Sequence, residues 1–128
     1  MSFSLNTAMS QRNLPQKQIN YILNLFKSNQ IQQALDFIDT LSKDYPDNSR
    51  LFNIRGACYA GLGQLDSAVQ NYEKALSINP DYAKAHYNLG GALQGLGKLH
   101  DSVKSYENST ALEPENAQAH NNLAIVLR

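Results

Sequence analysis

The sequence is poor in the residues that build most chemical sites. It has one cysteine, no tryptophan, three histidines and no surplus of charge, with eleven basic residues against eleven acidic ones. The single thiol, Cys58, cannot form an internal disulfide, so a reducing compartment, the cytoplasm, is the expected location. Balanced charge speaks against a nucleic-acid binder, which needs basic residues to neutralise phosphates. It speaks equally against electrostatic attachment to an anionic membrane. No apolar run approaches the roughly 20 residues that span a bilayer. The first residues, MSFSLNTAMSQRNLP, lack a basic stretch followed by an apolar one, so no secretion signal is read there. At 128 residues the chain suffices for one domain with a core.

Proline is scarce too, but its placement is informative. Of four prolines, Pro46, Pro80 and Pro114 stand 34 residues apart. The rest of the chain keeps the same interval. Ile31, Leu65 and Leu99 fall in register, as do Ala34, Ala68 and Ser102, then Ile38, Tyr72 and Tyr106, then Asn29, Gly63 and Gly97. A period of about 34 residues is that of stacked helix-turn-helix units. The punctuation agrees. Gly63 and Gly97, with Asn29 as the next best residue, sit where a helix must end in a left-handed conformation. Gly56 and Gly90 fall mid-helix, where glycine costs roughly 1 kcal/mol against alanine, so a neighbouring helix is expected against the bare backbone. Asp66 and Asp101 suit the positive ends of their helices. Each proline stops the second helix of its pair. Helices are predicted over 16–28, 30–43, 49–62, 64–78, 83–96, 98–112 and 117 onward. Residues 1–14 are polar and aperiodic and read as a flexible lead-in. The repeats then run 15–48, 49–82, 83–116 and, in part, 117–128.

The segment from Ser49 to Tyr82 carries Phe52, Gly56, Tyr59, Gly63, Ala68, Tyr72, Ala75 and Pro80. The next, Ala83 to Asn116, repeats the pattern through Leu89, Gly90, Gly97, Tyr106 and Pro114. It has Ser102 and Ser109 where alanine is preferred. This pattern resembles the tetratricopeptide-repeat family, and the resemblance covers everything after about Leu14. It implies an all-α fold, a helix-turn-helix solenoid coiled into a right-handed superhelix of about seven helices. The implied function is a protein–protein interaction scaffold without catalysis, cofactor or metal, holding a peptide in a concave groove lined by the first helix of each pair. Carried over by repeat position, the groove residues are Asn20, Arg50, Asn53, Lys84, Tyr87, Asn88, Asn121 and Asn122. Asn20, Asn88 and Asn122 share one position, which Ile54 interrupts. Such amides can grip an extended backbone, and the row resembles the asparagine ladder of the O-GlcNAc transferase superhelix. Arg50 and Lys84 share another position and favour an acidic segment or a C-terminal carboxylate. The clamp with which related domains hold chaperone tails falls here on Ile19, Leu23, Ile54, Lys84 and Asn88. Only Lys84 keeps the charge, which speaks against that ligand. Gly91, Gly95 and Ala57 are expected to leave the groove floor open.

Candidate catalytic groups do not assemble. His86 and His120 are equivalents one repeat apart, a separation of about 8–10 Å that one metal ion cannot bridge. They are read as packing residues. Cys58 aligns with Ala92 and Val126 and is read as a structural thiol. The stretch Gly90–Lys98 misses the phosphate-loop spacing. Asn108-Ser109-Thr110 fits a glycosylation sequon but falls inside a predicted helix. Two further roles stay open. One is a regulatory or substrate-presenting domain of a larger enzyme of glycosyltransferase or sulfotransferase type. The other is self-association through the last helix, whose Leu123, Ile125, Val126 and Leu127 lack a following partner. A cut from a longer array and a homo-oligomeric stacking face both account for that end.

Overall fold

The computed structural model describes residues 13–128; the lead-in expected over 1–14 lies outside the described residues except for its last two positions. Leu14, the last of them, is buried in the core, so the folded unit starts earlier than the sequence suggests. Seven helices follow: α1 Gln16–Lys27, α2 Ile31–Leu41, α3 Ser49–Gly61, α4 Leu65–Ile78, α5 Ala83–Gly95, α6 Leu99–Leu112 and α7 Ala117–Val126. Their bounds lie within two residues of those predicted wherever both ends were assigned. Packing runs from each helix to the next in sequence, with a lighter contact between α3 and α5. This is the one-dimensional stacking of a solenoid.

Three left-handed residues set the turns within the pairs: Asn29 at φ 60°, Gly63 at 77° and Gly97 at 78°. Each lets the following N–H reach back to the helix that just ended. Gln30 N–H donates to Leu25 O at 2.8 Å, Gln64 to Tyr59 at 2.9 Å and Lys98 to Leu93 at 2.9 Å. Turns between pairs use a different device. Asn48 caps α3 by accepting from Leu51 N–H at 3.0 Å, and Asn116 caps α7 by accepting from Ala119 N–H at 3.1 Å. The equivalent residue before α5 is Tyr82, which supplies no cap.

Two apolar clusters form the core. The first joins α1, α2 and α3 through Ile19, Ile22, Ile38 and Cys58; the second joins α4 and α5 through Ala68, Tyr72, Leu89 and Leu93. Glycine makes the close approaches possible. A Cβ on Gly56 would stand 2.5 Å from the Tyr72 ring, and one on Gly90 2.8 Å from the Tyr106 ring. A Cβ on Gly95 would stand 2.7 Å from Leu65, so this glycine serves packing rather than an open floor. Ile125 on α7 and Leu127 just after it remain exposed.

The two serines that replace alanine behave differently. Ser102 is fully buried and its hydroxyl donates to Gly90 O at 2.8 Å. Ser109 is equally buried, yet its hydroxyl has no partner among the described residues. An unmade buried hydrogen bond costs about 1–3 kcal/mol, whereas a made one contributes about 1. Ser109→Ala is therefore expected to raise stability by about 1 kcal/mol and Ser102→Ala to lower it by a similar amount. Urea unfolding of the two variants checks the opposite signs; two losses of equal size would refute the assignment.

Candidate functional site

The odd-numbered helices share a face, and two clefts open on it. The first, about 540 Å³, is lined by Ile19 and Leu23 of α1, Arg50, Asn53 and Ile54 of α3, Lys84 of α5, and the loop residues Asn79, Tyr82 and Glu113. A neighbouring hollow of about 610 Å³ shares Ser49 and Arg50 with it and continues toward Asn13 and Asp47. The second cleft is a notch of about 240 Å³ one repeat further on. Its lining includes Ala60, Tyr87, Asn88, Gly91, Tyr106 and Asn122.

A diagonal of contacts joins the odd helices. Asn88 Nδ2 donates to Asn53 Oδ1 at 3.0 Å, and Asn122 Nδ2 donates to Tyr87 Oη at 3.0 Å. Both links span 35 residues, so a position in one repeat meets the next position in the following repeat. Ile19 and Ile54 occupy the same diagonal at the first junction, and both line the first cleft. Apolar contact, amide pair and amide–phenol pair thus succeed one another along the face. Asn53 also donates to Tyr82 Oη at 3.4 Å.

These links change what the predicted residues offer. Asn53 is only 4% exposed, with its amide engaged on both sides, so it positions its neighbours more than it faces solvent. Asn88 and Asn122 are half-buried and each uses one N–H internally. Asn122 also donates toward the Tyr106 phenol, so what the pair leaves open among the described residues is both carbonyl oxygens and the second N–H of Asn88. Tyr87 packs edge-on against Tyr106 at 5.8 Å. Asn20 is exposed, bonded to Gln16 at 2.9 Å, and lines neither cleft; Asn121 is exposed and lines neither. Ile19, placed by repeat position on the groove, is 1% exposed and belongs mainly to the core. Sequence reading missed Tyr82. Its signal was the loss of the asparagine cap at that repeat position.

The charges are simple. Arg50 and Lys84 are both exposed, and neither forms an ion pair; the ion pair among the described residues is Arg55 with Asp39 at 2.8 Å. Glu113 is the acidic residue of the first cleft. Burial pushes the Tyr82 phenol upward, against the opposing pull of the Asn53 hydrogen bond and the Arg50 charge. Burial likewise raises Tyr106, with Tyr87 adding to the effect and the Asn122 amide opposing it. Both phenols stay neutral, as donors and acceptors, at physiological pH. His86 and His120 brace loops: their Nε2 atoms lie 2.8 Å from Pro80 O and 2.7 Å from Pro114 O. No cluster of metal-ligating side chains forms among the described residues.

Residues 56–97 match a family model described as TPR repeat, and residues 87–128 match one described as tetratricopeptide repeat. The peroxisomal targeting signal receptor of Kluyveromyces lactis is 27% identical over 75 residues, which is 59% of this chain and 13% of the receptor. The chain thus spans about an eighth of the length of that relative. Among solved structures, the first TPR of Spaghetti (RPAP3), bound to the HSP90 peptide SRMEEVD, superposes with a TM-score of 0.81 at 29% identity, covering 84% of this chain and 86% of that one. The first TPR domain of human RPAP3 superposes with a TM-score of 0.84 at 27% identity, covering 94% and 91%.

Proposed function

This chain belongs to the tetratricopeptide-repeat family, and we propose that it is a protein-interaction module whose groove holds an extended acidic peptide segment. Domains of this family are typically non-catalytic. One observation carries the reading. The first cleft sets two cations without ion-pair partners, Arg50 and Lys84, beside an apolar floor of Leu23 and Ile54. A carboxylate entering there gains two attractive partners and faces one repulsive one, Glu113. The amides of Asn88 and Asn122 add backbone hydrogen bonds that do not depend on sequence. The Spaghetti domain with its SRMEEVD peptide supports a peptide as the ligand class. Of the clamp positions used for chaperone tails only Lys84 is cationic here, so the partner is an acidic segment of another kind.

Fluorescence anisotropy with a labelled nonapeptide carrying two adjacent glutamates tests this. Arg50→Ala with Lys84→Ala is expected to weaken binding about tenfold, or about 1.4 kcal/mol. High salt should do the same, since near 1 M the screening length falls to about 3 Å. Equal affinity for the same peptide with lysines in place of the glutamates would overturn the charge assignment.

A further inference from the structure

Gly91 is a glycine that the fold does not require. Gly90 beside it is forced, because a Cβ there would stand 2.8 Å from the Tyr106 ring. A Cβ on Gly91 would meet only Tyr106 Oη at 3.6 Å, an ordinary contact. Its φ is not positive and it lies in the middle of α5, exposed. Glycine in a helix interior is destabilising by roughly 1 kcal/mol against alanine. Here nothing inside the protein offsets that cost. What the missing side chain leaves is the notch, with Tyr87, Ala60 and Ala92 as apolar walls and Asn88 and Asn122 beside them.

Resting on the peptide-groove reading above, we propose that this notch is a specificity pocket. It takes one branched or thioether apolar side chain (leucine, isoleucine or methionine) of the bound peptide, whose backbone lies across the carbonyl oxygens of Asn88 and Asn122 and the second N–H of Asn88. A space of about 240 Å³ suits such a side chain. The polar groups beside it are in place to bond the adjoining peptide groups, which a free hydrocarbon could not use. Lys84 of the cation pair and Gly91 of the notch lie on the same helix, α5, seven residues or about 10 Å apart along its axis. An extended chain advances about 3.3 Å per residue. The recognised segment is therefore an acidic residue followed or preceded, about three residues away, by the apolar anchor.

The test uses the full chain and fluorescein-labelled nonapeptides of glycine and serine with two glutamates and one leucine, the leucine moved from two to five residues away. Tightest binding is expected at a spacing of three or four, with about a tenfold loss when leucine becomes glycine. Gly91→Leu fills the notch. It should reduce the leucine peptide to the affinity of the glycine peptide, with no fall in melting temperature. Should Gly91→Leu fail to fold, Gly91→Ala, whose Cβ has room, is expected to give a partial loss of the same discrimination. Acidic peptides that bind without distinguishing leucine from glycine, or a filled notch that leaves the preference intact, would overturn the pocket alone. Absence of binding by every peptide would overturn the groove reading and the pocket with it.

Discussion

Gly56→Val is expected to cost at least about 3 kcal/mol, a large part of the 5–15 kcal/mol by which domains of this kind are stable. The Cβ would lie 2.5 Å from Tyr72 Cε1 and 2.7 Å from Cδ1. Contacts this short cannot stand, so the ring or the helix must move. The ring cannot leave cheaply, because Tyr72 is 3% exposed and packed with Ala68, Leu89 and Leu93. Overpacking a core usually costs about 1–3 kcal/mol, and valine adds two methyl groups beyond the clashing Cβ. Gly56→Ala should cost less, since alanine recovers about 1 kcal/mol of helix propensity. The decisive variant pairs Gly56→Ala with Tyr72→Leu. If the clash is the cause, the smaller partner relieves it, and the double variant is more stable than the two single losses predict, by about 1 kcal/mol or more. Strict additivity in urea unfolding would place the cost elsewhere. Gly90 and Tyr106 repeat the arrangement one unit on at 2.8 Å, and Gly90→Val should follow with a somewhat smaller loss.

This pairing also shows how far the sequence could be read. The interval of 34 residues and the mid-helix position of Gly56 together demanded a neighbour against the backbone. The left-handed turns at Asn29, Gly63 and Gly97 followed from residue type alone, because few residues tolerate that conformation. A repeat shows which residues are equivalent, but not which residues of adjacent repeats touch. That depends on the rotation from one unit to the next. The diagonal joining Asn53 to Asn88 and Tyr87 to Asn122 is offset by one position, and no period in the sequence contains that offset. The row of amides was therefore legible, whereas its internal hydrogen bonds were not. Gly91 and Gly95 looked alike as floor residues; the fold places Leu65 against one and leaves the other open. Leu14 shows a simpler limit, since burial of one residue ahead of a helix depends on what it folds back onto.

Stability should fall by about 2–3 kcal/mol between pH 9 and pH 11, and Cys58 should account for much of the fall. The thiol is fully buried, and burial pushes its pKa from 9.0 up to about 11. Between those values the unfolded chain has released the proton and the folded chain still holds it. Unfolding then releases a proton, so rising pH favours it, by about 1.4 kcal/mol per unit. Below pH 9 both states hold the proton and the thiol adds no slope. Tyr72, pushed to about 12 by burial and by the neighbouring Cys58, adds a second loss of the same sign that begins near pH 10. Cys58→Ala separates the two. It removes most of the slope between pH 9 and 10 and leaves above it that of Tyr72, together with smaller losses from the raised Tyr82 and Tyr106 phenols. Denaturant unfolding at half-unit steps of pH measures both curves. Parallel curves for the two proteins would mean that the thiol ionises in the folded state as easily as in the unfolded one. The same burial makes Cys58 a poor nucleophile, since the thiolate is the reactive form. It lies on the buried face of α3, two residues from Gly56 and near Tyr72, where a charge would have no partner. The thiol thus sits on the packed side of the helix that carries Arg50, Asn53 and Ile54.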